Sequence, residues 1–151
     1  MNELNIKIKR IENGKLPNYK TIGSVGADCY ARLEKDVMIE GRSSATIPLG
    51  FAVEIPEGYE MQIRGRSGLA STFKVVGFTG TIDQDYRGEV SAIIFNESET
   101  AFIIKNEDRI GQAVVCPVVK AKWIEVEELT QTDRGAKGFG STGIADERKA
   151  N

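Results

Sequence analysis

Apolar residues recur at every second position along much of this chain. Leu4, Ile6 and Ile8 alternate with Asn5, Lys7 and Lys9. Phe51, Val53 and Ile55 alternate with Ala52 and Glu54, and Tyr59, Met61 and Ile63 with Glu60, Gln62 and Arg64. A period of two sends one set of side chains to a single sheet face, so each run predicts a half-buried strand. Pro56-Glu57-Gly58 separates the last two runs with turn chemistry and predicts a hairpin between them. Val90 to Phe95, Ala101 to Ile104 and Ala113 to Val119 are nearly continuous apolar strands, with Asn96-Glu97-Ser98-Glu99 as a turn between the first two. Only Ser67 to Thr72 has the character of a helical turn. Turn signals at intervals of about ten residues point to an all-β barrel or sandwich with one short helix.

From Gln131 the pattern changes. Glycine, charge and small hydroxyls dominate, with Phe139 as the single aromatic. Such a segment cannot pack a core, so the expected organisation is a β core over residues 1–130 and a mobile C-terminal tail over residues 131–151. A length of 151 residues suits one domain, and a net charge of −2 argues against a general nucleic-acid or membrane-surface binder. No apolar run approaches the ~20 residues that span a bilayer. The N-terminus alternates instead of forming an apolar signal segment. Cys29 and Cys116 fit neither a disulfide framework nor a zinc quartet, which points to buried thiols in a reducing, cytoplasmic setting. Histidine is absent. That removes Ser-His-Asp and Cys-His catalysis, and leaves carboxylates, guanidinium groups, hydroxyls, backbone amides and an oxygen-bound metal.

Five segments carry candidate chemistry. Gly80-Thr81-Ile82-Asp83-Gln84-Asp85-Tyr86-Arg87-Gly88-Glu89 places two carboxylates, a phenol and a guanidinium between apolar strands. Charge at such a bend faces solvent or a ligand. Gly65-Arg66-Ser67-Gly68 offers backbone N–H groups, a hydroxyl and a planar fork for phosphate oxygens, or else a turn with a helix-capping serine. Arg134-Gly135-Ala136-Lys137-Gly138-Phe139-Gly140-Ser141-Thr142-Gly143 could wrap a polyphosphate and stack an aromatic on a base, or be a disordered tail, which explains the glycines but not Phe139. Asp28, after Gly23-Ser24-Val25-Gly26-Ala27, is a turn aspartate or a group that holds a magnesium-bound water. In Asp108-Arg109-Ile110-Gly111-Gln112, the aspartate and arginine read as structural, while Gln112 satisfies a buried partner or faces a ligand.

In order along the chain, Gly23–Ala31, Arg64–Ser71, Gly80–Asn96, Asp108–Pro117 and Arg134–Gly143 resemble the five motifs of the trimeric dUTPase family. The third and fifth are the most specific: Gly-x-Ile-Asp-x-Asp-Tyr-Arg-Gly, and Arg-Gly-x-x-Gly-Phe-Gly-Ser-Thr-Gly. The resemblance implies a distorted jelly-roll, β-clip-like barrel and a homotrimer whose three sites are shared between chains. The implied reaction is hydrolysis of dUTP to dUMP and pyrophosphate with Mg²⁺, by water attack on the α-phosphorus, limiting dUTP and supplying dUMP for dTMP synthesis. It implies Asp83 as the base and Tyr86 under the deoxyribose. Backbone groups of Gly77, Gly80, Thr81, Ile82 and Ser91 would read the uracil. Arg66, Ser67, Gly68 and Gln112 would hold the phosphates, and Asp28 would reach the metal through a water. Arg134 would meet the γ-phosphate, Phe139 would cover the base, and Gly140, Ser141 and Thr142 would wrap the triphosphate. Gly65 stands where the family commonly has proline, which would loosen the phosphate loop. dCTP deaminases share the implied fold, but the Asp83–Tyr86 pair and the stacking tail follow the hydrolase pattern.

Overall fold

A computed structural model describes residues 3–138. The strands are β1 (Lys7–Arg10), β2 (Ala27–Tyr30), β3 (Val37–Ile39), β4 (Ser43–Pro48), β5 (Phe51–Glu54), β6 (Tyr59–Arg64), β7 (Val75–Gly77), β8 (Gly80–Ile82), β9 (Ser91–Asn96), β10 (Phe102–Ile104) and β11 (Arg109–Pro117), with one helix, α1 (Ser67–Phe73). The described strands form a four-stranded sheet in the order β2-β11-β6-β8, a three-stranded sheet β4-β9-β7, and the pairs β1-β5 and β3-β10. Every pairing is antiparallel. The expected all-β, jelly-roll-like fold with a short helix is therefore present, but the described sheets do not close into a barrel. Phe51, Leu49, Ile47, Ile63, Ile94, Ile104 and Ile110 are fully buried where the sheets face one another.

Alternation operates as expected in β6, where Met61 and Ile63 are buried and Gln62 and Arg64 lie on the other face. The hairpin expected at Pro56 does not form. The Pro56 turn is made, with Tyr59 N donating to Pro56 O at 3.3 Å, yet β5 pairs with β1 and β6 pairs with β11 and β8. Phe51, Ala52 and Val53 are buried on consecutive positions, so β5 is covered on both faces and the turn passes the chain between sheets. The turn after β9 likewise hands the chain to another sheet. Its Asn96 is fully buried, and the amide donates to Ile39 O at 2.9 Å and Thr100 O at 2.8 Å, which binds the turn to β3. A buried amide satisfied in this way is stable where an unpaired one would be costly. β9 is also not buried throughout: Ala92 and Ile94 face inward, while Ile93 and Phe95 are exposed.

Ser67 opens α1 but does not cap it. The N-cap is Arg66, in extended conformation and without a side-chain capping bond. Lys74, with φ of 56°, ends the helix and donates its N–H to Ala70 O at 3.1 Å. By their contacts the described residues divide into two units between Val119 and Lys120. In the second unit Arg134 Nε donates to Lys137 O at 3.2 Å, and Gly135 N to Thr132 O at 3.0 Å. Among the described residues no helix is long and apolar enough to cross a membrane.

Candidate active site

Gln112, in the middle of β11, lies opposite Asp28 on one side and opposite Arg64 on the other. Directly opposed residues of antiparallel strands share a sheet face, so the three side chains form a row. Between Arg109 and Gly111 the β11–β2 register shifts by one residue. This bulge moves Arg109 onto the face that carries Asp28, where unbroken alternation would have sent it to the other. Arg109 Nη1 then lies 3.1 Å from Asp28 Oδ2. Arg66, just past the end of β6, comes back over the row. Its Nε is 3.4 Å from Asp28 Oδ1, and its Nη1 donates to Arg109 O at 3.1 Å.

Two close glycine contacts complete this cluster. Gln112 Nε2 donates to Gly65 O at 3.0 Å, and a Cβ on Gly26 would come within 2.2 Å of Gln112 Oε1. Gly65 packs backbone to backbone on Gly77: a Cβ on Gly65 would meet Gly77 N at 2.8 Å. Glycine at this position lets the segment after β6 press against the end of β7. The Asp28 side chain is only 13% exposed, while Arg66 and Arg109 keep 29% and 46%. One carboxylate thus aligns two guanidinium groups whose outer edges remain open, leaving a net positive charge suited to anionic oxygens. Ser67 and Gly68 follow Arg66 directly and are exposed.

The acidic hairpin, residues 78–90 between the paired strands β7 and β9, is built differently. Phe78 N donates to Ile93 O at 2.8 Å, after which the chain leaves β7 for β8, whose Gly80, Thr81 and Ile82 face Ile63, Gln62 and Met61. Asp83 follows and is exposed. The turn is closed by Tyr86 N donating to Asp83 O at 3.2 Å. Arg87 Nη1 donates to Gln84 O at 2.6 Å and Tyr86 O at 2.9 Å, which makes Arg87 a brace of the turn. Tyr86 is 44% exposed, and its hydroxyl donates to Glu89 O at 3.0 Å. Gly88 leaves room for the phenol, since a Cβ there would meet Tyr86 Oη at 2.4 Å. Ser91 pairs with Pro48 and is half-buried.

The structure brings Asp28, Arg66 and Gln112 together and leaves Asp83 and Tyr86 apart from them. β8 runs antiparallel to β6, so Asp83 continues past Met61 toward Tyr59, while Arg66 lies beyond the opposite end of β6. At about 3.3 Å of rise per residue, this separation exceeds about 10 Å. Arg134 is exposed, and Phe139, Gly140, Ser141 and Thr142 lie outside the described residues. From sequence Arg109 reads as structural, and the structure places it in the cluster with Asp28 and Arg66. The bulge that redirects it leaves no composition signal, and the only hint is an arginine at the start of a strand that carries Gln112.

The dUTPase family model matches residues 12–143. The chain belongs to the dUTPase family. The deoxyuridine 5'-triphosphate nucleotidohydrolase of Bdellovibrio bacteriovorus is 46% identical over 149 residues, covering 96% of this chain and 100% of its own. That of Nautilia profundicola is 49% identical over 145 residues, covering 93% and 99%. The solved dUTPase of Staphylococcus bacteriophage 80alpha with dUPNHPP superposes with a TM-score of 0.85 at 27% identity, covering 93% of this chain and 99% of that one. The dUTPase described here is thus a hydrolase of nucleotide metabolism, a dUTP diphosphatase that converts dUTP to dUMP and pyrophosphate.

Proposed function

We propose that the chain performs this hydrolysis in sites assembled from several copies of itself, as a homotrimer. Arg66, Arg109, Ser67, Gly68 and Gln112 of one copy bind the triphosphate. Asp83 of a second copy accepts a proton from the attacking water as its oxygen bonds to the α-phosphorus and the bond to the β-phosphate bridge breaks. Tyr86 lies under the deoxyribose and occupies the space of a ribose 2′-hydroxyl. Backbone groups of Gly77, Gly80, Thr81, Ile82 and Ser91 read the uracil edge. Arg134 meets the γ-phosphate, while Phe139 covers the base and Gly140, Ser141 and Thr142 enclose the phosphates. A triphosphate carries about four negative charges, so a cationic cluster and a water-activating carboxylate are the two functions such a site requires.

The observation that carries the shared site is the separation of Asp83 from the arginine cluster along β6. The outer face of the β4-β9-β7 sheet supports an assembly. Val76 lies opposite Phe95, and both are about 40% exposed there beside Ile93 and Phe78. Contiguous apolar exposure of this kind is typical of a surface that another protein covers.

Magnesium belongs with the substrate. Both Asp28 oxygens face guanidinium groups, and the described residues include no group of three or more acidic, thiol or imidazole side chains that could hold a metal. A resident magnesium therefore does not fit Asp28. Magnesium–dUTP does fit the site, because the ion retains waters and phosphate oxygens as ligands. The proposed setting is the cytoplasm, where the reaction limits dUTP and supplies dUMP for dTMP synthesis.

Mixing two inactive variants tests the assembly. Asp83→Asn and Arg66→Ala, refolded together in equal amounts, should recover about a quarter of wild-type activity by random assortment of shared sites. Each variant alone should remain nearly inactive. Sites contained within one chain would give no recovery.

A further inference from the structure

A bidentate ion pair fastens the exit of the acidic hairpin to the β core. Arg32 Nε donates to Glu89 Oε1 at 2.8 Å and Arg32 Nη2 to Glu89 Oε2 at 2.8 Å. Gly50 N adds a third bond to Glu89 Oε1 at 2.9 Å. On the far side, Arg32 Nη1 reaches Glu12 Oε2 at 2.8 Å, and Arg32 N donates to Pro48 O at 2.8 Å. Gly50 has φ of 75°, and a Cβ on it would meet Gly14 Cα at 2.3 Å and Arg32 Cδ at 3.0 Å. The close Gly14–Gly50 approach thus makes room for the arginine stem. The Arg32 and Glu89 side chains are only 20% and 24% exposed, so their pairing is shielded and geometrically defined, unlike a flexible surface ion pair.

The location of this pair gives it a consequence beyond stability. Between Asp83 and Arg87, the hydrogen bonds of the described structure close the turn on itself: Tyr86 N to Asp83 O, and Arg87 to Gln84 O and Tyr86 O. The link onward to the core is the phenol, whose hydroxyl donates to the backbone oxygen of Glu89. Glu89 thus accepts from Tyr86 with its backbone and from Arg32 and Gly50 with its side chain. We infer that Arg32 and Glu89 are positioning residues that set the Tyr86 ring, and with it the discrimination between deoxyribose and ribose. This rests on the proposed place of Tyr86 under the sugar. A carboxylate held at both oxygens fixes the residue that carries it, and misplacing a positioned group by about 1 Å is enough to cost up to about 10²-fold in rate.

The test is kcat/KM for magnesium–dUTP and magnesium–UTP, measured with melting temperature for each variant. Glu89→Gln removes the charge and one arm of the fork, and Arg32→Lys keeps the charge but loses the fork. Both should lower the dUTP-to-UTP ratio by about tenfold. Tyr86→Phe keeps the ring and removes only its bond to Glu89, so it should reproduce most of that loss in a chain with an intact ion pair, even if a pair variant does not fold. Combined with Glu89→Gln it should add little, because both interrupt one link. Glu12→Gln removes the remaining side-chain partner of Arg32 and should leave the ratio at the wild-type value. A ratio unchanged in Tyr86→Phe, or a lower melting temperature in the pair variants without a change of ratio, would make the pair a structural contact only and overturn the inference. Tyr86→Ala in the same assay separates the two readings. An unchanged ratio there defeats both the sugar contact and this inference, whereas a lowered ratio beside unaffected Glu89→Gln and Tyr86→Phe defeats the inference alone.

Discussion

The arginine cluster and the acidic hairpin sit on opposite ends of one strand and are held by different means. Asp28, Gln112 and Arg64 share a row across three paired strands, so backbone ladders fix their spacing before any side chain is placed. Arg66 and Arg109 then close on Asp28 from two directions. Asp83 and Tyr86 sit on a turn held by its own bonds and by the Glu89 link. A site for a flexible, highly charged triphosphate gains from rigidly spaced cations. In the proposed shared site, a carboxylate that meets water and a second copy gains from projecting away from the core. Rigidity and projection are hard to satisfy at one place on one chain, and sharing the site between copies satisfies both.

The sharpest break in this comparison is Asp83→Asn. The amide still accepts and donates hydrogen bonds at the same place but cannot take a proton at neutral pH. Turnover of dUTP should fall by roughly 10²-fold or more, with little change in substrate binding by equilibrium titration. Near wild-type turnover would move the base elsewhere in the site.

Tyr86→Ala should lower the dUTP-to-UTP preference in kcat/KM by about tenfold or more, since it empties the space that a 2′-hydroxyl would need. The arginine cluster should be untouched, so inhibition by pyrophosphate should remain at the wild-type level. A loss of pyrophosphate affinity in this variant would show that the two regions are coupled.

How much of this was legible from the chain follows the distinction between local and distant contacts. The alternation of β6 and the short helix from Ser67 are local, and each appears where the pattern puts it, whereas the run from Leu4 to Ile8 gives only β1, with all four of its residues exposed. Pairing is not local. Nothing in Pro56-Glu57-Gly58 says that the strands beside it join different sheets, because that depends on burial of both faces of β5. The bulge that turns Arg109 toward Asp28 depends on the register of a strand about eighty residues earlier, a distance over which periodicity carries no information. Arg32 and Glu89 are fifty-seven residues apart in sequence, and each looks like an ordinary surface charge until the fold brings them together.

Gly26→Ala probes the cluster from its most crowded point. The new methyl would lie 2.2 Å from Gln112 Oε1, so Gln112 must swing away and release Gly65 O. Overpacking of this kind destabilises by about 1–3 kcal/mol, visible as a lower melting temperature, with KM for dUTP rising more than kcat falls. An unchanged melting temperature would mean that Gln112 has slack the structure does not show.

The smallest effect concerns acid, and it separates the hairpin anchor from the surface ion pairs. The fork from Arg32, offset in part by desolvation and helped by Gly50 N–H, holds the Glu89 carboxyl below its usual range. A carboxylate whose folded pKa is lowered stabilises the fold fully above its unfolded value, about 4.3, and that contribution disappears as pH falls through the lower folded value. Arg32 is shifted the opposite way, upward, chiefly by its bond to Glu89, so it stays charged throughout the acid range and the loss belongs to Glu89. Glu54 and Glu99 are also held low, by Lys7 and Arg42, but both pairs are exposed, where water and salt screen them. Thermal melts from neutral to acid pH should therefore show wild type more stable than Glu89→Gln by about 1 kcal/mol at neutrality. The gap should narrow progressively below about pH 4.3 as the wild-type carboxyl takes up its proton. Moderate salt should leave the neutral-pH gap nearly intact, since the pair is shielded, while erasing any difference made by Glu54→Gln. A gap that vanished in salt would place the Arg32–Glu89 fork among the surface pairs and remove its claim to hold the hairpin.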